Sequence, residues 1–185
     1  MSRGAVFLDR DGVLNRTYVH GGTPHPPRSA ETLEILPNVA LGLRALRARG
    51  FPLVVVTNQP DVGRGATTRS EVERIHERLK RELDLDAVFA CFHDDAAGCE
   101  CRKPRPGLLL RAAADLGLDL STSYMVGDRR SDIEAGRSAG CRTFFVDCGY
   151  RESPPRGYRE RAPVDYDYRV ASLFEASQII LEGPP

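Results

Sequence analysis

The stretch FLDRDGVLN, Phe7 to Asn15, sets two aspartates one residue apart against a short apolar run and follows them with a glycine. An apolar run of this length reads as a buried strand, and charge at its end needs a chemical reason. Working outward, similar runs recur as PLVVVTN (52–58), AVFACF (87–92), SYMVGD (123–128) and RTFFVD (142–147). Helical patterns lie between them. Val39, Leu43 and Leu46 follow Asn38 as a cap and stop at Gly50; Val72, Ile75 and Leu79 follow the capping-box pair Thr68 and Glu71. Leu109, Ala113 and Leu116 follow Pro106 and end at Gly117. Ser131 with Glu134 opens a short helix that ends by Gly140, and Ser172 with Glu175 opens the last one. Strands alternating with helices specify a parallel sheet of α/β class. The first strand is expected over residues 4–9, with a long loop rich in Gly, Pro and His (HGGTPHPPRS) behind it.

The chain has 185 residues, enough for one sizeable core and short for two, so a single domain over 1–185 is expected. Its 26 basic and 26 acidic residues cancel and leave no field that would gather nucleic acid. No leader-like apolar stretch opens the chain and no run is long enough to span a bilayer, so neither secretion nor membrane insertion is expected. A cytoplasmic location and a monomer are the expectation. The segment from Gly149 to Tyr168 interleaves Arg and Tyr, but Glu152, Glu160, Asp165 and Asp167 dilute its charge, so it reads as a solvated connection.

In an open parallel sheet, ligands bind beyond the carboxyl ends of the strands. The polar clusters share that edge: Asp9 and Asp11 follow the first strand, Thr57 and Asn58 the second, Arg102 and Lys103 the third, Asp128 and Asp132 the fourth. Gathered carboxylates repel unless a cation offsets them, and oxygen ligands of this kind suit Mg²⁺. Magnesium that keeps a substrate phosphate in its shell, beside a lysine and a hydroxyl, points to phosphoryl transfer. Asp9 is then the nucleophile, forming an aspartyl-phosphate, while Asp11 gives a proton to the leaving alkoxide and takes one from water.

Cys91, His93, Cys99 and Cys101 form a second cluster, C-x-H-x5-C-x-C, in a loop over 91–101 directly ahead of Lys103. Three thiolates and an imidazole match tetrahedral, saturated, structural Zn²⁺. An odd total of five cysteines fits metal ligation in a reducing compartment better than a disulfide framework. Cys141 and Cys148 read as small packing residues, His20 and His25 as surface histidines of the first loop, and His76 as solvent-facing on its helix.

DRDGVLN, VVVTNQ, CRKPRPG and VGDRRSD together resemble the ordered motifs of the haloacid dehalogenase superfamily, from Phe7 to about Phe145. The resemblance implies a Rossmann-like three-layer α/β/α sandwich with no large cap domain. It makes Asp9 the nucleophile, Asp11 the acid/base, and Thr57 and Lys103 phosphate ligands. Magnesium would lie on the Asp9 and Asp128 carboxylates and the Asp11 main-chain carbonyl, with Asp132 behind them. The zinc loop before CRKP resembles two groups within the superfamily, heptose 1,7-bisphosphate 7-phosphatases and histidinol-phosphate phosphatases. TNQPDVGRG, Thr57 to Gly65, is similar to the heptose form and implies a phosphorylated sugar substrate, although TPHPPRSAETLE is longer and richer in proline than the usual loop. Arg64 and Arg102 lie nearest in sequence for gripping the second phosphate of a bisphosphate. The alternatives are a histidinol-phosphate phosphatase, a DNA 3′-phosphatase, which the neutral charge disfavours, and a phosphoacceptor or zinc-stabilised interaction domain. An accepting aspartate from a later strand is expected of a phosphoacceptor, whereas here the pair follows the first.

Overall fold

The computed structural model describes residues 3–20, 23–149 and 165–183. β1 (Val6–Leu8) leads to a hairpin of β2 (Tyr18–His20) and β3 (Thr23–His25). Then come α1 (Val39–Ala48), β4 (Leu53–Asn58), one turn of helix α2 (Pro60–Gly63), α3 (Arg69–Leu83) and β5 (Ala87–Cys91). The chain continues through α4 (Gly107–Leu116), β6 (Tyr124–Gly127), α5 (Arg130–Ala139), β7 (Arg142–Val146), β8 (Tyr168–Val170) and α6 (Leu173–Glu182).

Six strands form one sheet in the order β5-β4-β1-β6-β7-β8, and every pairing in it is parallel. The helices cover both faces, giving the three-layer Rossmann-like sandwich. Strand periodicity explains the two cores. Val6, Leu8, Leu53 and Val55 point to the side of α1, α3 and α6, where they meet Leu43, Leu46, Ile75, Leu79 and Ile180. Phe7, Val54 and Val56 point to the opposite side and meet Leu108, Leu109, Ala112 and Ala135 from α4 and α5. β1 is apolar throughout because both faces are covered. The chain fills one side of β1 with β4 and β5 and then crosses to β6 on the other. The strand order therefore reverses beside β1, and a crevice opens at its carboxyl end, where Asp9 follows.

Several local expectations change. β1 is shorter than 4–9, since only Val6–Leu8 has strand pairing on both sides. The first long loop contains the β2–β3 hairpin, and β8 adds an edge strand whose three residues gave no periodic signal. Asn38 stands at the start of α1 in a left-handed conformation (φ 61°), and its side chain makes no cap bond. Thr68 does accept from the Glu71 N–H, but the Glu71 carboxylate turns to the Ala30 N–H and ties α3 to the first loop. α5 is capped two residues earlier than Ser131: Asp132 accepts from the Arg129 N–H at 3.0 Å. His76 is buried, because the stripe Val72, Ile75, Leu79 places position 76 on the same inward face. Most of the Arg–Tyr segment, 150–164, and the side chain of His20 lie outside the described residues. Among the described residues no helix is long and apolar enough to cross a membrane.

Candidate active site

The site is built where β1, β4 and β6 end together. Asp9 leaves β1 with its N–H on the Val126 carbonyl at 2.9 Å, so sheet pairing fixes the backbone of the expected nucleophile. Gly12 turns the chain away at φ +88°, and a Cβ there would sit 2.2 Å from Asp128 Oδ2. Only glycine meets both demands, which accounts for the glycine after the aspartate pair. Asp128 follows β6, and Asp132 arrives from the first turn of α5. Asp9, Asp128 and Asp132 are buried and offer carboxylate oxygens within 4.8 Å of one another.

Lys103 enters from the loop after β5. Its ammonium donates to Asp9 Oδ1 at 2.7 Å, Asp132 Oδ1 at 2.5 Å and the Val56 carbonyl at 2.8 Å, engaging all the donors it has. Asn58, expected among the phosphate ligands, has both ends of its amide on the Lys103 backbone: Nδ2 donates to the Lys103 carbonyl at 3.0 Å and Oδ1 accepts the Lys103 N–H at 3.1 Å. It therefore sets the lysine. Thr57 is buried with its hydroxyl 3.0 Å from Gln59 Nε2. Asp11 lies beside these groups, bonded by Arg10, Asn15 and Gln59.

Electrostatics follow from this crowding. Burial pushes Asp9 up to about 6; Lys103 pulls against that shift, while Asp132 and Asp11 add to it. Burial, then the charges of Asp9 and Asp132, raise Asp128 well above the carboxylate range. Burial opposes the Lys103 charge, but Asp132 and Asp9 outweigh it and keep the amine protonated. Burial also opposes ionisation of Asp11, yet the Arg10 guanidinium and the bonds from Asn15 and Gln59 leave its carboxyl below its ordinary value. Both oxygens of Asp128 are buried without a hydrogen-bond partner. An orphaned buried carboxylate next to two further acids is costly unless a cation meets it, so the donor set fits a hard divalent ion.

The second cluster fits a softer one. Cys101 Sγ lies 3.3 Å from Cys91 Sγ, 3.4 Å from Cys99 Sγ and 3.2 Å from His93 Nδ1, and Cys91 lies 3.6 Å from both Cys99 and His93. Three thiols and an imidazole, all within 4.8 Å of one another, are a donor set that suits tetrahedral coordination. Burial and the neighbouring Cys101 thiol push Cys91 up to about 12. The loop abuts α2 so closely that a Cβ on Gly63 would lie 2.8 Å from the Phe92 carbonyl and 2.7 Å from the Asp94 nitrogen. Arg64 and Arg102, read from distant motifs, converge here on one carboxylate. Arg102 pairs with Asp95 Oδ1 at 2.5 Å and Arg64 with Asp95 Oδ2. His25 is exposed, as expected of a surface histidine.

Arg10, Asn15, Gln59 and His76 carry contacts that the sequence reading did not assign. Arg10 had a signal in its position between two aspartates, and Gln59 in its place directly after Thr57 and Asn58. His76 had one only in its helical register.

An aspartate pair at the end of the central strand, with lysine and further acids across a parallel sheet, defines a haloacid dehalogenase-type phosphohydrolase. The HAD-hydrolase-like family model matches residues 100–175. The chain is 37% identical over 153 residues, 75% of it and 76% of the relative, to the D-glycero-beta-D-manno-heptose-1,7-bisphosphate 7-phosphatase of Escherichia coli K12. It is 36% identical to the D-glycero-D-manno-heptose-1,7-bisphosphate 7-phosphatase of Thermosynechococcus vestitus, across 90% of each chain. The crystal structure of D,D-heptose 1,7-bisphosphate phosphatase from B. bronchiseptica, complexed with magnesium and phosphate, has a TM-score of 0.78 at 27% identity, covering 97% of this chain and 98% of that one. The chain belongs to the D-glycero-D-manno-heptose 1,7-bisphosphate 7-phosphatase family, phosphoric monoester hydrolases of the haloacid dehalogenase type.

Proposed function

We propose that this chain hydrolyses the 7-phosphate of D-glycero-D-manno-heptose 1,7-bisphosphate through a phosphorylated Asp9. The observation that carries the reading is the buried acid cluster in which Lys103 grips Asp9 while Asp128 is left without a partner. Asp9 and Asp128, with the Asp11 main-chain carbonyl, would hold Mg²⁺, which supplies positive charge to a transferring phosphoryl group. Lys103, by exchanging one of its present partners, and the Thr57 hydroxyl would bind the other oxygens of that group. Asp9 attacks phosphorus as the bond to the sugar oxygen breaks, and Asp11 protonates that oxygen. Water then attacks phosphorus, Asp11 takes its proton, and the bond to Asp9 breaks with release of inorganic phosphate.

Cys91, His93, Cys99 and Cys101 would hold Zn²⁺, and a site closed by four protein ligands shapes the rim rather than performing hydrolysis. That rim carries Arg64 and Arg102, bridged by Asp95, as the candidate grip for the second phosphate. Guanidinium suits this job through bidentate geometry. The test is phosphate release by zinc-retaining protein supplied with Mg²⁺, on both anomers of the bisphosphate and on histidinol phosphate. A higher kcat/KM on a heptose bisphosphate supports the proposal; a higher one on histidinol phosphate overturns it.

A further inference from the structure

Asp11 is held by a network that extends well behind the site. Arg10, 0% exposed, lies along both carboxylate oxygens: its Nε is 3.2 Å from each, and Nη2 is 2.8 Å from Oδ2 and 3.1 Å from Oδ1. Nη2 also donates to Gln59 Oε1 at 2.9 Å, and Gln59 Nε2 returns a bond to Asp11 Oδ2 at 2.9 Å. Asn15 Nδ2 donates to Oδ1 at 2.9 Å. On the far side Arg10 Nη1 lies 3.1 Å from Nε2 of buried His76 on α3. A guanidinium can only donate, so His76 Nε2 accepts and its ring proton sits on Nδ1.

Burying a charged pair is a poor route to stability, because desolvation offsets the attraction; its better-attested use is to fix geometry. Each donor fixes one direction of the Asp11 carboxylate, and His76 fixes the donor that fixes the others. We propose that Arg10, set in turn by Gln59 and His76, is a positioning residue that orients the Asp11 carboxylate for proton transfer. The proposal rests on reading Asp11 as the acid/base of an aspartyl-phosphate reaction. In the first half, the Asp9 oxygen bonds to phosphorus, the ester P–O bond breaks with its electron pair going to the leaving oxygen, and the Asp11 proton follows. In the second, water oxygen bonds to phosphorus, its proton goes to Asp11, and the Asp9–phosphorus bond breaks with its electron pair returning to Asp9.

A sugar alkoxide needs the first proton, whereas p-nitrophenolate leaves without one; both substrates need the second transfer. Misplacing Asp11 therefore has a signature that loss of folding does not produce. Mg²⁺-loaded wild type, Asp11→Asn, Arg10→Lys, His76→Leu and His76→Gln are compared by rapid mixing with p-nitrophenyl phosphate and by steady-state turnover of the heptose bisphosphate. Arg10→Lys keeps the charge but loses the fork, and His76→Leu leaves Nη1 without its acceptor. Each is expected to lower kcat on the sugar on the order of 10²-fold, the size of effect a misplaced group produces, with KM little changed. Each should still release its first equivalent of p-nitrophenolate at the wild-type rate, as a burst before slow turnover. His76→Gln, with an acceptor toward Arg10, recovers most of the sugar turnover.

Equal losses in the burst and in sugar turnover, unchanged or raised kcat, or a change confined to KM overturns the positioning role. If Arg10→Lys does not fold, the His76 pair decides by the same readings. Asp11→Asn separates the levels: if it shows the burst signature and the Arg10 and His76 variants do not, positioning fails alone. If Asp11→Asn lacks the signature, the acid/base reading fails and this proposal falls with it.

Discussion

Asp9, the proposed nucleophile, stands between conflicting neighbours. Lys103 keeps one of its oxygens in an ion pair at 2.7 Å, while burial and nearby acids resist its ionisation. Because its amide nitrogen cannot act as the nucleophile, Asp9→Asn is expected to abolish phosphate release, measured by inorganic phosphate assay. The raised carboxyl also predicts a pH effect. An acid whose pKa rises from 3.8 to about 6 on folding contributes stability that is present below the lower value and lost as pH climbs through the upper one. Without metal, the melting temperature should therefore fall between about pH 4 and pH 6 on this account. Adding Mg²⁺ should stabilise the protein more at pH 7.5 than at pH 5, since a cation favours the charged form. A melting-temperature gain from Mg²⁺ that is larger at pH 5 would contradict the residue-level picture.

At the scale of elements, the segment from the end of β5 to α4 carries both the Cys91, His93, Cys99 and Cys101 cluster and Lys103, and α2 packs against its backbone. Cys99→Ser is expected to lower zinc content and thermal stability together, read by metal analysis and calorimetry. Arg102→Ala should reduce kcat/KM on the heptose bisphosphate much more than on p-nitrophenyl phosphate, which has no second phosphate to bind. Comparable losses on both would assign Arg102 to the loop alone, through its bond to Asp95. The elements themselves show what the sequence carries. Buried strands declared themselves by apolar runs, α3 by its periodicity, and the polar clusters by their place after the first four runs. Pairwise details were less visible. The cap of α5 lay two residues from the Ser131 pattern because Asp132 serves the Arg129 N–H and Lys103 at once. The β2–β3 hairpin and β8, three residues each, are too short for a periodic signal. His76 was misread because a polar residue on an apolar stripe is explained only by a partner, Arg10, 66 positions away.

At the scale of the molecule, the sheet gathers groups from five segments at one edge: Asp9 and Asp11, Thr57, Lys103, Asp128, and Asp132 on its helix. With a neutral overall charge, the proposed recognition falls to these local groups and to the rim that carries Arg64 and Arg102. The central claim is therefore both chemical and positional: one phosphate is removed through Asp9 while the other is held on the rim. Following heptose 1,7-bisphosphate by ³¹P NMR in the presence of Mg²⁺ tests it most directly. The account predicts that the signal of the primary, 7-phosphate gives way to inorganic phosphate while the anomeric 1-phosphate signal persists. Loss of the anomeric signal first, or no hydrolysis of either phosphate, would contradict it.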